Sequence, residues 1–581
     1  MQLLAFMTAF ATPLFLAALL IWPQARALVW RIMPFAPLPA LVLALLANLP
    51  LEAQAEWLIL GLHFGLDEVS RLFIVFTALL WCAAGTAARH WMRDDARAAS
   101  FGVLFAMAQA GNLGLLLAQD ALSFYAFFAL MSFASYGLVL HMRDAKAQSA
   151  ARLYIGFVVL GELALFAGLA LAASQAGSFL LADLRAAAPS GMAVALLIIG
   201  FGVKLGIMPL HFWLPPAHGA APVPASAVLS GAMIKAGLFG MLTVLPLGSV
   251  AYADHGTVLM AAGMVTIFAA LLLGVQQDNP KVVLGFSSVS QMGIVTLGLG
   301  AGLMVPAAWA VILPVLVFLA AHHALAKGAL FLGTGAYAAQ TGSLSRIAVT
   351  LALLIPALVL AGLPASSGGF GKEALKTALA AGSPVWLPWL TVALSLSGIA
   401  TTLLMARYIA LIWRNPPKAP AKMAAEAVLL PFISLAAAAL ALPVIWPVLA
   451  QDMAAPISTA EPGALWPVGS AVLLAAGAAT FAHAQHIGPS VFLAQLLAPF
   501  NALGARVDSV IAAKRRAARR VGHAVPKLLG ETARRWRLGQ TAIAGLIALI
   551  LILEFGAGLL AETPAASPTA PPPAQIFTPD F

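Results

Sequence analysis

Four lysines stand inside or beside long apolar runs: Lys204, Lys235, Lys327 and Lys372. Lys204 closes the run Ile198-Ile199-Gly200-Phe201-Gly202-Val203, and Lys235 closes Leu229-Ser230-Gly231-Ala232-Met233-Ile234. His322 and His323 come just ahead of Lys327, and the step from His323 to Lys327 is i,i+4, one face of a helix. Lys372 adjoins Glu373 after a glycine-rich break, and His211 lies in a proline-rich stretch beyond Lys204. A lysine can hand on a proton near neutral pH only if its pKa falls from about 10.4, and desolvation or a second cation lowers it. A carboxylate partner raises it again. Histidine, with a free pKa of about 6.5, is a natural relay member. A single lysine in such a setting can equally snorkel to a polar interface or pair with one carboxylate. Several in series, joined by water, are what stepwise proton transfer requires.

Such a row needs a scaffold that keeps it from bulk water. The 581-residue chain is 62% hydrophobic and only 9% charged, and its mean hydropathy is +0.97. A soluble domain carries about 25% charged residues. Apolar runs recur along the chain at the length that crosses a bilayer core of about 30 Å. A backbone in lipid must satisfy its own hydrogen bonds, and the short alternating segments of a barrel are missing, so the runs read as helices. The composition thus predicts an all-α polytopic membrane protein of about 14–16 transmembrane helices. About sixteen spans are expected, centred near residues 12, 40, 77, 110, 130, 162, 200, 237, 266, 293, 322, 356, 398, 437, 476 and 550. The segment 364–384 reads as a broken continuation of the twelfth. The first run reads as an uncleaved helix, with Ala25-Arg26-Ala27 a faint alternative cleavage site.

Charge sorts the loops. Arg26, Arg31, Arg89, Arg93, Arg97, Arg143, Lys146, Arg152, Lys281, Arg346, Arg414, Lys418 and Lys422 follow odd-numbered spans, as does the dense stretch Arg506 to Arg537. Glu52, Glu56, Asp67, Asp254, Asp452 and Glu461 fall in the opposite loops. This positive-inside pattern turns the basic face to the cytoplasm and accounts for the net charge of +10 without a nucleic-acid partner. The expected location is a bacterial inner membrane. The stretch Phe500–Gly530 reads either as an amphipathic helix on the membrane surface or as a solvated basic loop. The tail Thr563–Phe581 reads as disordered. One cysteine, Cys82, excludes a disulfide framework and a cysteine-ligated iron–sulfur cluster. No cofactor or metal motif is expected.

Two spans look interrupted. Pro209, Pro215, Pro216, Pro222 and Pro224 follow Lys204, while Pro364, Gly368, Gly369 and Gly371 precede Lys372. Broken helices at matching places in two halves point to an inverted-repeat transport site. The chain divides into N-terminal helices (1–100), a first half-channel (101–250), a second half-channel (251–415) and additional helices (416–500). A basic segment (501–538), a last helix (539–562) and a tail (563–581) follow.

These residues carry a family likeness. Lys204 through Gly240, KLGIMPLHFWLPPAHGAAPVPASAVLSGAMIKAGLFG, resembles the signature of the antiporter-like subunits of complex I, Mrp-type cation/proton antiporters and membrane-bound hydrogenases. DNPKVVLGFSSVSQMGI (278–294), HALAKGALFLGTG (323–335), GLPASSGGFGKE (362–373) and GLDEVSRLFIVF (65–76) resemble further family blocks. Ser230–Lys235 and Arg534–Gln540 look closer to the formate-hydrogenlyase branch, whereas Lys372-Glu373 looks like the lateral-helix subunit of complex I. The resemblance implies that Lys204 is the central channel lysine, Lys235 the next on the axis, His323 and Lys327 the link between half-channels, and Lys372 the terminal lysine near the exit. Ala129 departs from the pattern, because the family usually has a glutamate there, paired with the lysine at 204. Glu162, on the next span, reads either as a substitute or as a helix-end carboxylate with no special role.

The expected function is proton translocation along a buried Lys/His/water axis within a larger, redox-driven membrane complex, complex I-like or hydrogenase-like. Other membrane subunits would be its partners. The chain would have no active site of its own, and sodium stays open as the coupled ion. A Mrp-type antiporter subunit, a subunit of an inorganic-carbon uptake complex and a non-conducting scaffold are the alternatives.

Overall fold

The computed structural model describes residues 2–55, 61–382, 386–414, 419–420 and 426–484, all within the first of two compact units, Met1–Val525. The expected basic segment, the last helix near 550 and the tail lie outside the described residues, as do Glu56, Lys418 and Lys422.

Among the described residues, thirteen helices are long and apolar enough to cross a membrane, with shorter apolar helices at Gly191–Leu205 and Trp466–Ala476. Every expected span centre up to residue 476 falls on a helix. The chain opens with α1 (Gln2–Leu19), α2 (Arg26–Ile32) and α3 (Leu38–Leu46). A small antiparallel hairpin that composition did not announce, β1 (Leu51–Ala55) with β2 (Leu62–Leu66), leads into α4 (Glu68–Trp91). Asp67 caps α4 by accepting from the Ser70 N–H.

Two groups of five spans follow in the same order. The first holds α5 (Ala98–Leu117), α6 (Ala121–Leu140), α7 (Ala145–Ala176) and, after the short α8 (Leu181–Ala186), α9 (Gly191–Leu205) broken from α10 (Leu214–Ala220). It ends with α11 (Val223–Val228) running through a π-helical turn, Leu229–Met233, into α12 (Lys235–Val244). The second holds α13 (Ala253–Gly274), α14 (Pro280–Met304), α15 (Trp309–Ala338), then α16 (Ser343–Ala361) broken from α17 (Ser367–Gly382), and α18 (Leu387–Arg414). In each group the fourth span is the broken one. An odd number of crossings makes the second group enter from the side opposite the first, which is the inverted-repeat geometry. After the second group, α19 (Glu426–Ala450) packs against α4 and α15.

Both breaks are made the same way. Gly206 ends α9 at φ +79° and Gly362 ends α16 at φ +97°, left-handed conformations that side chains resist. The carbonyl of Val203, freed at the end of α9, accepts the Trp213 indole N–H at 2.7 Å. Burial is deepest along α14 and α15, whose apolar residues are enclosed on nearly every face.

Candidate functional site

Lys204 lies on the last turn of α9, buried beside the first break. Its Nζ donates to Ser132 Oγ of α6 at 3.0 Å and reaches the Tyr154 hydroxyl of α7 at 3.5 Å. Tyr154 in turn donates to the Ser132 carbonyl at 3.0 Å. Glu162, buried two turns along α7, lies within electrostatic reach of Lys204 and Ser132, and its Oε2 has no partner. Ala129 is one turn before Ser132 on α6, so a glutamate there would spring from the same helix that supplies the hydroxyl.

The second group of residues lies where the two five-span groups meet. Lys235 begins α12, immediately after the π-helical turn. Such turns recur at functional sites because they aim a side chain and free a carbonyl. The Lys235 Nζ donates to the Ser230 carbonyl at 2.6 Å and hydrogen-bonds His323 Nδ1 of α15. Lys327, one turn beyond His323, is fully buried and donates to the Leu284 carbonyl of α14 at 2.9 Å. His322 points the other way on α15, and its Nδ1 meets Ser367 Oγ, at the start of α17, at 2.8 Å. Lys372 of α17 donates to the Ala361 carbonyl at 2.9 Å, capping the end of α16 across the second break.

Two expected members sit apart. Glu373 pairs with Lys376 at 2.8 Å, not with Lys372, because i,i+3 on α17 brings those two onto one face while adjacent residues diverge. His211 is buried against Phe212 and Phe286 and hydrogen-bonds none of the four lysines.

One assignment is corrected. Lys281 is not a loop charge. It is 8% exposed, and its Nζ donates to the Ala221 carbonyl at 2.5 Å. Asn279 caps α14 through the Lys281 N–H and Pro280 opens it, so Lys281 falls in the first helical turn. The Asn-Pro pair is the sequence signal that could have placed it there. His218 of α10 is also buried, with neither ring nitrogen bonded, and lies within electrostatic reach of Lys327, Lys281 and Lys235. No carboxylate forms an ion pair with these three lysines among the described residues.

The comparisons agree with this architecture. Residues 118–399 match the family described as NADH:quinone oxidoreductase/Mrp antiporter, transmembrane. The chain is 32% identical over 291 residues to hydrogenase-4 component B of Escherichia coli, covering 47% of this chain and 42% of that protein. It is 31% identical over 318 residues to formate hydrogenlyase subunit 3 of the same organism, covering 49% and 52%. NADH-quinone oxidoreductase subunit N of Desulforudis audaxviator is 29% identical over 341 residues, covering 54% and 65%. The chain thus spans about half the length of the curated relatives it matches. A chain of the Mrp complex from Dietzia shares the fold at TM-score 0.68 and 20% identity, covering 99% of this chain and 64% of the other. A chain of an archaeal membrane-bound sulfane sulfur reductase does so at 0.65 and 19%, covering 79% and 98%. The fold defines a polytopic membrane protein with two inverted repeats. The match to the NADH:quinone oxidoreductase/Mrp antiporter transmembrane family thus runs from α6 through both breaks to α18, just under half of the chain.

Proposed function

We propose that this protein translocates protons as one subunit of a larger complex in a bacterial inner membrane, driven by redox chemistry in its partners. Glu162, Ser132 and Lys204 form one loading point, Lys235, His323 and Lys327 the central exchange, and His322 and Lys372 the outlet. The observation that carries the reading is the hydrogen bond of Lys235 to His323, both 1% exposed, which joins the two repeats. A buried amine and imidazole without a carboxylate between them cannot both stay charged at low cost, so a shared proton is the stable arrangement. The names of relatives from hydrogenase, formate hydrogenlyase and NADH-quinone oxidoreductase favour redox-driven partners.

The test is proton uptake by liposomes holding the purified native complex, under a potassium–valinomycin potential. Lys235→Met and Lys327→Met should each slow uptake by at least about tenfold while the complex assembles normally. Wild-type rates in both would refute the axis.

A further inference from the structure

Lys281 starts a polar line along α14 that the axis above does not use. Gly285 lies one turn further on the same face, and His218 packs there: a Cβ at Gly285 would come within 3.3 Å of His218 Cδ2 and 2.8 Å of Pro215 Cα. Ser288 follows at i+7, with its hydroxyl 2.8 Å from Ser230 Oγ. Ser230 is the residue whose carbonyl accepts from Lys235. Leu284, between them, supplies the carbonyl that holds Lys327. Lys281, His218, Ser288 and Ser230 thus lead from the end of α14 to both central lysines, bypassing Glu162 and Lys204. At the outer end, the neighbouring Asp278 is 82% exposed on its side chain, so the start of this line adjoins solvent. That end follows an odd-numbered span and belongs to the basic face.

We infer that Lys281 is a proton-carrying residue, and that with His218 it forms a second inlet from the basic face to Lys235 and Lys327. This rests on the proton-translocating reading above. In the step, the Lys281 ammonium releases a proton to a free ring nitrogen of His218. The neutral amine left behind takes a proton from water at the basic face. The imidazolium passes its proton on toward Lys327. Both ring nitrogens of His218 are without a partner, as an acceptor in waiting requires. The competing role is purely positional: a fixed charge on the Ala221 carbonyl, which also accepts from Ser226 Oγ at 3.2 Å, could simply pin the turn between α10 and α11.

Arginine separates the two. It keeps the charge and the donor but does not release its proton. In the liposome assay, Lys281→Arg, Lys281→Met and His218→Gln should each slow uptake by at least about tenfold. Assembly of the complex is checked by size-exclusion chromatography. Lys281→Arg within about twofold of wild type would overturn the inlet and leave Lys281 a tether. If Lys281→Met does not assemble, Lys281→Arg and His218→Gln decide. Lys327→Met runs alongside as a control. Loss there with wild-type rates in Lys281→Arg and His218→Gln sinks the inlet alone, whereas wild-type rates in Lys327→Met sink the underlying reading.

Discussion

Lys204 donates to the hydroxyl of Ser132 at 3.0 Å, and Glu162 lies within electrostatic reach of both without forming an ion pair with the lysine. A hydroxyl is both donor and acceptor, so Ser132 can accept from the amine and still donate. In a chain with alanine at 129, Glu162 of α7 is a buried carboxyl within electrostatic reach of Lys204.

Glu162→Gln should therefore slow proton uptake by at least about tenfold, and Ala129→Glu in the same chain should restore part of it. Uptake by liposomes with the native complex measures both. An unchanged rate in Glu162→Gln would leave the carboxylate a bystander.

Ser132→Ala removes the hydroxyl that accepts from Lys204 while leaving Lys204 and Glu162 in place. The expected result is a several-fold slower uptake, with Ser132→Thr close to wild type because its hydroxyl survives. An equal loss in the two variants would point to packing instead.

Gly368 is fixed by the second break. A Cβ there would fall 2.0 Å from the Val359 carbonyl oxygen and 3.1 Å from His322 Cε1. Gly368→Ala must push α16 and α17 apart, at a cost of about 1–3 kcal/mol for overpacking. Thermal melting in detergent should show a lower midpoint. A neutral result would mean that the break is looser than the packing indicates.

Outside the membrane, Asp95 and His141 join the α4–α5 loop to the end of α6 at 3.0 Å. Burial opposes the charge on Asp95, but the Arg97 backbone N–H and the His141 side chain outweigh it and hold the carboxyl below its ordinary value. A depressed carboxyl stabilises the fold fully above its unfolded value of about 3.9, and the benefit disappears as pH falls through the lower folded value. Asp95→Asn should thus lower stability by about 1 kcal/mol or less at pH 7, and the deficit should shrink below pH of about 4. Melting curves of both proteins across pH 3–7 check the sign.

Much of this was legible along the chain. Length and polarity of the runs determined the spans, because a bilayer demands a fixed length of apolar helix whatever its neighbours are. Proline and glycine clusters marked both breaks, and the lysines announced themselves as charges where charge is costly. Glu162 could be suspected as a substitute carboxylate for Lys204, but its burial within reach of that lysine could not be read from the chain. Ser132 and Lys204 are 72 residues apart, and Lys235 and His323 are 88 apart. Which faces of distant helices meet is decided by packing, not by local spacing. Lys281 shows the limit most sharply. In the sequence it follows a polar turn and reads as one more basic loop charge. Only the docking of α10 against Gly285 of α14 closes over it and turns a surface cation into a buried one.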